Sequence, residues 1–244
     1  MNLYCIIPMY QESHPWSSIG LGSQTMQPQE SLIVHDGCNC SISRLEFNAN
    51  VVQWFRKERH YTAKNIWDAI INLRERHRLQ SSDIICLIDG DDKLFDNTVL
   101  QTVYQAYKQY DCWLTYGSHV WLSHLLGNKP EALYRGRYRT GDIFRKTQWR
   151  ASHLKTFRYG LWQHLPESAL KDESGEWLKT CSDLAIMFPL LEMAGHSRIR
   201  HINRPLYIYN DLNPLNDHKI ASKEQKEMEY WLRDKKPFEE LRSL

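Results

Sequence analysis

The sequence predicts an α/β protein built on a mostly parallel sheet flanked by helices, and three observations carry that prediction. Short apolar runs alternate with helix-length periodic segments through the first hundred-odd residues. One run, Ile84 to Ile88 in "DIICLIDGDDKLF", is apolar at every position, as a parallel strand covered on both faces requires. It leads directly into three carboxylates, Asp89, Asp91 and Asp92, so polar chemistry stands at a strand's carboxyl end, where open α/β sheets bind ligands.

The elements follow in order. "LYCIIP" (3–8) and "SLIVHDG" (31–37) read as strands, and the polar stretch from His14 to Gln29 has room for a crossover helix. "NVVQWF" (50–55) is a third strand. In "TAKNIWDAIINLRERH" (62–77), Ala63, Ile66, Ile70 and Leu73 fall at helical spacing and Thr62 can cap. "DIICLID" (83–89) is the fourth strand, and "NTVLQTVYQAYKQY" (97–110) is a helix capped by Asp96 or Asn97. Strand and helix in this alternation imply right-handed crossovers, so residues 1–111 read as a Rossmann-like nucleotide-binding half. That puts Pro8 to Glu12, Asp36 and Asp89 to Asp92 on one rim.

Residues 112–244 change character. Strand-like "CWLTYGSHVWL" (112–122) precedes a Tyr- and Arg-rich loop (132–149) and a helix "RASHLKTF" (150–157). Then come a helix "LKTCSDLAIMFPLLEMAG" (178–195) stopped by Gly195, the strands "HSRIRHI" and "PLYIYN" (205–210), and a charged helical tail (216–236). There is no internal repeat or linker, so the two halves are expected to share one core in a single domain, 1–244.

Composition narrows the function classes. With 244 residues, 42% hydrophobic and 12% aromatic, the chain can fill a sizeable core. Thirty-one Lys and Arg balance 29 Asp and Glu to a net charge of +2, which gives no electrostatic reason to expect nucleic acid or a membrane surface as partner. No run approaches the roughly 18 apolar residues of a membrane span, and the N-terminus lacks a basic signal-peptide region. A soluble, cytoplasmic protein is expected. Six scattered cysteines suit reduced, buried thiols, and "CNC" at 38–40 lacks the spacer common in zinc sites.

Asp89 and Asp91 stand two residues apart at the end of a buried strand and repel one another, so a cation should be near. Mg²⁺ or Mn²⁺ fits, because a few hard oxygen donors leave positions open for substrate phosphates. Gly90 is read as the residue that lets the backbone turn sharply between the acids. The plainer alternative is a solvated turn in which Asp92 or Asp96 caps the next helix.

Four ordered runs, "CIIPMYQE", "IVHDG", "TAKNIWDAI" and "CLIDGDDKL", together resemble the fingerprint of GT-A glycosyltransferases of the family 2 type. The resemblance covers residues 3–95. It implies a single GT-A domain with a nucleotide-sugar-binding half (1–111) and a mixed, acceptor-side half (112–244). It also implies that Pro8, Tyr10 and Glu12 lie under the nucleoside, that Asp36 binds uracil, and that Ala63, Lys64 and Asn65 occupy the Ala-Arg-Asn-like triplet. Asp89, Gly90, Asp91 and Asp92 then form the Asp-x-Asp-like metal and donor segment. Two positions depart from the pattern: His35 stands before Asp36 where paired acids are more usual, and Lys64 replaces Arg, which keeps the charge but loses the bidentate fork.

The implied reaction is metal-dependent inverting transfer from a nucleotide diphosphate donor, a UDP-sugar in the simplest case, to a hydroxyl acceptor such as a glycan. Asp183, opening the apolar helix, matches the family's catalytic base; an ordinary acid stabilised by the helix dipole is the alternative. Asp91, Asp89 and His218 form the expected metal set, with a merely solvated loop histidine as the alternative for His218. Tyr207 and Tyr209 alternate on one strand near hydrogen-bonding residues suited to sugar hydroxyls. The Tyr134–Arg139 segment suits a lid over donor and acceptor better than an RNA grip. Trp121, Trp149 and Trp162 offer stacking faces or core packing. A sugar-phosphate nucleotidyltransferase and a non-catalytic nucleotide-sugar or carbohydrate-binding module are the rival readings; the first lacks a Gly-rich phosphate loop after the first strand.

Overall fold

The computed structural model describes residues 1–10, 19–37, 50–127, 136–214, 216, 219 and 222–244. Within them, eight strands form one sheet that draws on both halves of the chain, in the order β3-β2-β1-β4-β7-β6-β8-β5. The first half supplies β1 (Leu3–Tyr10), β2 (Glu30–Asp36), β3 (Val51–Phe55), β4 (Ile84–Leu87) and the short β5 (Lys93–Leu94). The second half supplies β6 (Leu114–Trp121), β7 (Lys155–Arg158) and β8 (Ile199–Tyr209). β1 pairs in parallel with β2 and β4, and β2 with β3. The other half of the sheet is mixed: β7 runs antiparallel to β4 and β6, while β6 and β8 are parallel and β5 is antiparallel to β8.

Alternating side chains divide the core between the two faces of the sheet. Tyr4 and Ile6 of β1, with Leu32, Val34, Ile85 and Leu87, pack under α1 (Tyr61–His77) and α5 (Ser182–Ala194). Leu3, Cys5 and Ile7, with Ile33, Ile84 and Cys86, pack on the other face under α2 (Val99–Gln109). Three layers result, and the strands between them are apolar on both faces, as their sequence requires. Two short helices, α3 (Leu122–Leu126) and α4 (Tyr159–Trp162), and a C-terminal α6 (Ser222–Asp234) complete the helices of the described residues. None of the helices is long and apolar enough to cross a membrane.

Some sequence expectations change. Residues 150–157, expected as a helix, are irregular with a bend at His153 and Leu154 and then enter β7 at Lys155, because β4 needs a partner on its open edge and the Phe157 side chain is wholly buried there. The strands expected at 196–202 and 205–210 are one continuous strand, β8, preceded by a 3-10 turn at His196–Arg198. Pro205 is tolerated at the irregularity in register between Ser118 and His119 of β6. Residues 20–29 are turns rather than helix, and the rest of the expected crossover helix falls mostly outside the described residues. α1 starts at Tyr61 with His60, not Thr62, at its cap position.

Candidate functional site

β1 lies between β2 and β4, so the chain reverses its direction of travel across the sheet there, and the carboxyl ends of β1 and β4 border the crevice that results. A cleft of about 290 Å³ opens at this point. Pro8 and Tyr10 from β1, Asp36 from β2 and Asn65 from α1 line it. Asp89, Gly90 and Asp91 from the loop after β4 line it as well, as does Asp183 from α5. The structure therefore brings together these eight of the residues singled out from sequence, and Asp92 and Tyr209, also singled out there, line the cleft with them. Glu12 and His218 lie outside the described residues. Lys64 is not among the lining residues: its ammonium sits 2.8 Å from Asp68 Oδ2, which it shares with Arg56, and faces the Trp177 ring at 5.1 Å.

Local packing fixes the acidic loop. Gly90 donates its N–H to Pro8 O at 3.2 Å. A Cβ at Gly90 would stand 2.4 Å from Met9 Cγ and 2.8 Å from Pro8 O, so glycine is required by close approach to β1. Its φ is not among the positive values, so the sharp-turn reason expected from sequence does not apply. On the other side β8 clasps the loop. The Asp89 N–H donates to the Tyr207 hydroxyl at 2.7 Å, and the Asn210 N–H donates to Asp92 Oδ1 at 2.7 Å. Asp91 Oδ2 accepts from Asn213 Nδ2 at 2.6 Å.

Antiparallel pairing carries the start of β7 to the end of β4: Lys155 pairs with Leu87. This delivers His153 and Lys155 to Asp89. His153 Nδ1 lies 3.3 Å and Lys155 Nζ 3.9 Å from Asp89 Oδ2. The His153 ring stacks on Tyr207 at 4.8 Å and 8° and on Tyr209 at 5.6 Å and 20°. Ligand atoms of Asp89, Asp92 and His153 all lie within 4.8 Å of one another. Two of those side chains carry buried atoms with no hydrogen-bond partner, Asp92 Oδ2 and His153 Nδ1. Buried polar atoms without hydrogen-bond partners call for an explanation, and a divalent cation at this cluster supplies one. Two hard carboxylates and one borderline imidazole fit Mn²⁺, and Mg²⁺ less closely.

The charge states of the metal-free cluster agree with that fit. Burial pushes the His153 imidazole well below its ordinary value, aided by Lys155 and His119, so it is neutral and its lone pair is available. Burial, then the Asp91 and Asp89 carboxylates, hold the Asp92 carboxyl well above the usual range. A cation would reverse that penalty by compensating the crowded negative charge.

Asp183 stands in the first turn of α5, whose residues from Leu184 to Ala194 are all buried, with Glu192 the one charged side chain among them. Burial lifts its carboxyl above the ordinary value, and the Lys155 ammonium works against the rise. A carboxylate at a helix start is steadied by the dipole, and a raised carboxyl is a better proton acceptor near neutral pH.

The side of the cleft formed by β2 and α1 is equally constrained. Both Asp36 oxygens accept main-chain N–H groups, from His60 at 2.6 Å and Tyr61 at 2.9 Å, so this acid caps the start of α1 from a neighbouring strand. Asn65 is 1% exposed and its Oδ1 has no hydrogen-bond partner. The Arg59 guanidinium, also lining the cleft, lies 3.7 Å above the Tyr10 ring and 4.4 Å from the Tyr61 ring.

Sequence reasoning did not single out His153, Lys155 or Arg59, and named Asp89, Asp91 and His218, not Asp92, as the expected metal ligands. Reading 150–157 as helix hid both His153, which stands in the bend before β7, and Lys155, which opens that strand. Arg59 stands in a βα loop, the part of such sheets that faces ligands, and that position was the available signal.

No family model and no curated protein matches the chain. Solved structures do. S. aureus TarS superposes with a TM-score of 0.54 at 14% identity over 91% of this chain, and TarS 1–349 with 0.53 at 15% over 86%. The chain spans 38% and 60% of the lengths of those two. Glucosyl-3-phosphoglycerate synthase from Mycobacterium tuberculosis, in complex with Mn²⁺, UDP and phosphoglyceric acid, gives 0.60 at 12% identity over 97% of this chain and 80% of that one. At these identities the likeness is one of fold, and the fold is GT-A-like, an α/β glycosyltransferase-type domain with a mixed sheet flanked by helices.

Proposed function

We propose that the protein is a metal-dependent inverting glycosyltransferase that moves a sugar from a nucleoside diphosphate, UDP in the first instance, to a hydroxyl acceptor. One observation carries the reading. The crevice at the ends of β1 and β4 joins an Asp89, Asp92 and His153 cluster with two orphaned donor atoms to a helix-start carboxylate, Asp183, in the same cleft. The M. tuberculosis synthase with the same fold was solved with Mn²⁺ and UDP, which supports the cofactor and donor class.

Asp89, Asp92 and His153 would hold the metal, with Asp91 beside them, and His218 stays a candidate from the sequence. The bound cation would neutralise the diphosphate as it departs. Asp183 takes the proton from the acceptor hydroxyl while that oxygen forms its bond to the anomeric carbon, and the bond from that carbon to the diphosphate oxygen breaks. Lys155 offsets negative charge at Asp89 and favours the ionised form of Asp183. Pro8, Tyr10, Asp36 and Asn65 form the wall for the nucleoside.

The test is UDP release from a panel of UDP- and GDP-sugars with Mn²⁺, Mg²⁺ or EDTA, for the native protein, Asp89→Asn and Asp183→Asn. Metal-dependent release of one nucleotide, abolished in Asp89→Asn, is expected. Asp183→Asn should keep donor binding and lose transfer to acceptor. Absence of both donor binding and release by the native protein would overturn the reading.

A further inference from the structure

We propose that Arg59 is the side chain that holds the nucleobase of the donor, and that it sets a preference for bases rich in carbonyl oxygens. The inference rests on the nucleotide-sugar reading and adds a residue that the fingerprint motifs do not contain.

Three observations carry it. First, the cation expected from sequence to face the donor, Lys64, is turned onto Asp68 beside Arg56 and does not line the cleft. Second, Asp36, expected to read the base, has both oxygens engaged by the N–H groups of His60 and Tyr61, so its pull is directed into the backbone that follows Arg59. Third, Arg59 lines the cleft beside Tyr10 and Asp36, the last residues of β1 and β2, and its guanidinium packs on two aromatic rings, Tyr10 at 3.7 Å and Tyr61 at 4.4 Å. Gly37 keeps this loop close, since a Cβ there would lie 3.3 Å from the Arg59 backbone nitrogen.

Chemistry then selects the ligand. A guanidinium has five N–H donors and no acceptor, and its plane stacks on π systems. Packed on two rings, it has already lost much of the rotamer freedom that binding would otherwise remove. Such a group satisfies the carbonyl oxygens of uracil, or the O6 and N7 of guanine, in plane. Adenine sets an exocyclic amine in the corresponding place, a donor facing donors.

The experiment is calorimetric titration of UDP, GDP, ADP and uridine in Mn²⁺ buffer into the native protein, Arg59→Ala and Arg59→Lys, with folding checked by circular dichroism. The native protein should bind UDP or GDP at least about tenfold more tightly than ADP, the order of one hydrogen-bonded base contact. Arg59→Ala should lose about tenfold on the preferred nucleotide and narrow the gap to ADP. Arg59→Lys should not restore it, since the planar fork is gone. The weakening should persist with uridine if uracil is the preferred base. Equal binding by native protein and Arg59→Ala overturns the inference and leaves the transferase reading standing. A loss confined to the diphosphates, absent with uridine, moves the contact to phosphate and overturns the base assignment. Binding of no nucleotide by the native protein overturns both.

Discussion

Replacing Gly90 with alanine tests whether the acidic loop is held by contact with β1 or only by its own turn. The added Cβ would meet Met9 Cγ at 2.4 Å, Pro8 O at 2.8 Å and Met9 Cα at 3.1 Å. The Met9 side chain can rotate aside, but the Pro8 carbonyl and Met9 Cα are backbone of a strand paired on both edges, so the loop must yield by several tenths of an ångström. Overpacking of this kind costs about 1–3 kcal/mol, and the Gly90 N–H bond to Pro8 O adds about 1 kcal/mol if lost. Stiffening of the unfolded chain returns about 0.4–1 kcal/mol. The net loss is about 1–3 kcal/mol, a fall in Tm of roughly 2–12 °C for a chain of this size. Displacement of Asp89 and Asp91 should also weaken Mn²⁺ binding. Urea unfolding followed by circular dichroism, with Mn²⁺ titration of the folded protein, measures both effects. If Gly90 served only to turn the chain, its φ outside the left-handed region would let alanine substitute at no cost or with a small gain. Native stability together with native metal affinity in Gly90→Ala would therefore refute the steric account.

Two further expectations concern the scaffold around the cleft. Glu192 accepts Arg145 Nε at 2.6 Å and Nη2 at 2.9 Å, together with the Phe238 N–H at 3.0 Å, and the two charged side chains are 4% and 8% exposed. Glu192→Ala would strand a buried guanidinium at a cost of about 3–5 kcal/mol, read by urea unfolding, and a loss below about 1 kcal/mol would contradict a tightly buried pair. His119 supplies the pH dependence: burial, with Lys155 nearby, pushes its imidazole down to about 4. The unfolded chain binds this proton from about pH 6.5 downward while the folded one does not, so stability is full above that pH and falls as pH drops toward 4. The total is about 3 kcal/mol, and His153 adds to it with the same sign. The raised carboxyls of Asp92 and Asp183 act in the opposite sense over the same range, so the assignment is read from a difference: in EDTA, lowering the pH from 7 to 5 should cost His119→Gln less unfolding free energy than the native protein, and parallel profiles would contradict it.

The parallel half of the sheet was legible because its information is local. β1, β2, β3 and β4 lie within two residues of the strands expected at 3–8, 31–37, 50–55 and 83–89, and α1 starts one residue before the expected 62. β4 is apolar and buried at every position, the middle of β2 is the apolar run Leu32 to Val34, and α1 shows its buried stripe in Ala63, Ile66, Ile70 and Leu73. The residues at their carboxyl ends needed no further knowledge, since the sheet rule alone sends Tyr10, Asp36 and Asp89 to one rim. Orientation within the rim was not legible. Lys64 and Arg59 stand five residues apart at the start of α1, and only the position of Asp68 one turn on decides that Lys64 turns away from the cleft.

The rest of the site depends on pairings between distant residues, which a local pattern does not encode. β7 is four residues long, too short for its alternation to stand out, and the apolar periodicity around it suits a helix as well. What makes it a strand is the edge of β4, some seventy residues earlier, with Ile84 against Arg158 and Leu87 against Lys155. The same antiparallel insertion determines the electrostatics. It brings an imidazole and an ammonium to Asp89, and Tyr207 and Asn210 of the β8 segment then hold the loop in place from the other side. A metal set reasoned from spacing alone favours the acids nearest in sequence and a histidine in a polar loop. Among the described residues strand order gathers Asp92 and His153 with Asp89, and Asp91 accepts from Asn213. If the cation is held by that gathered set, His153→Ala should weaken Mn²⁺ binding to the folded protein as strongly as Asp92→Asn does, because each removes one of the two orphaned donor atoms.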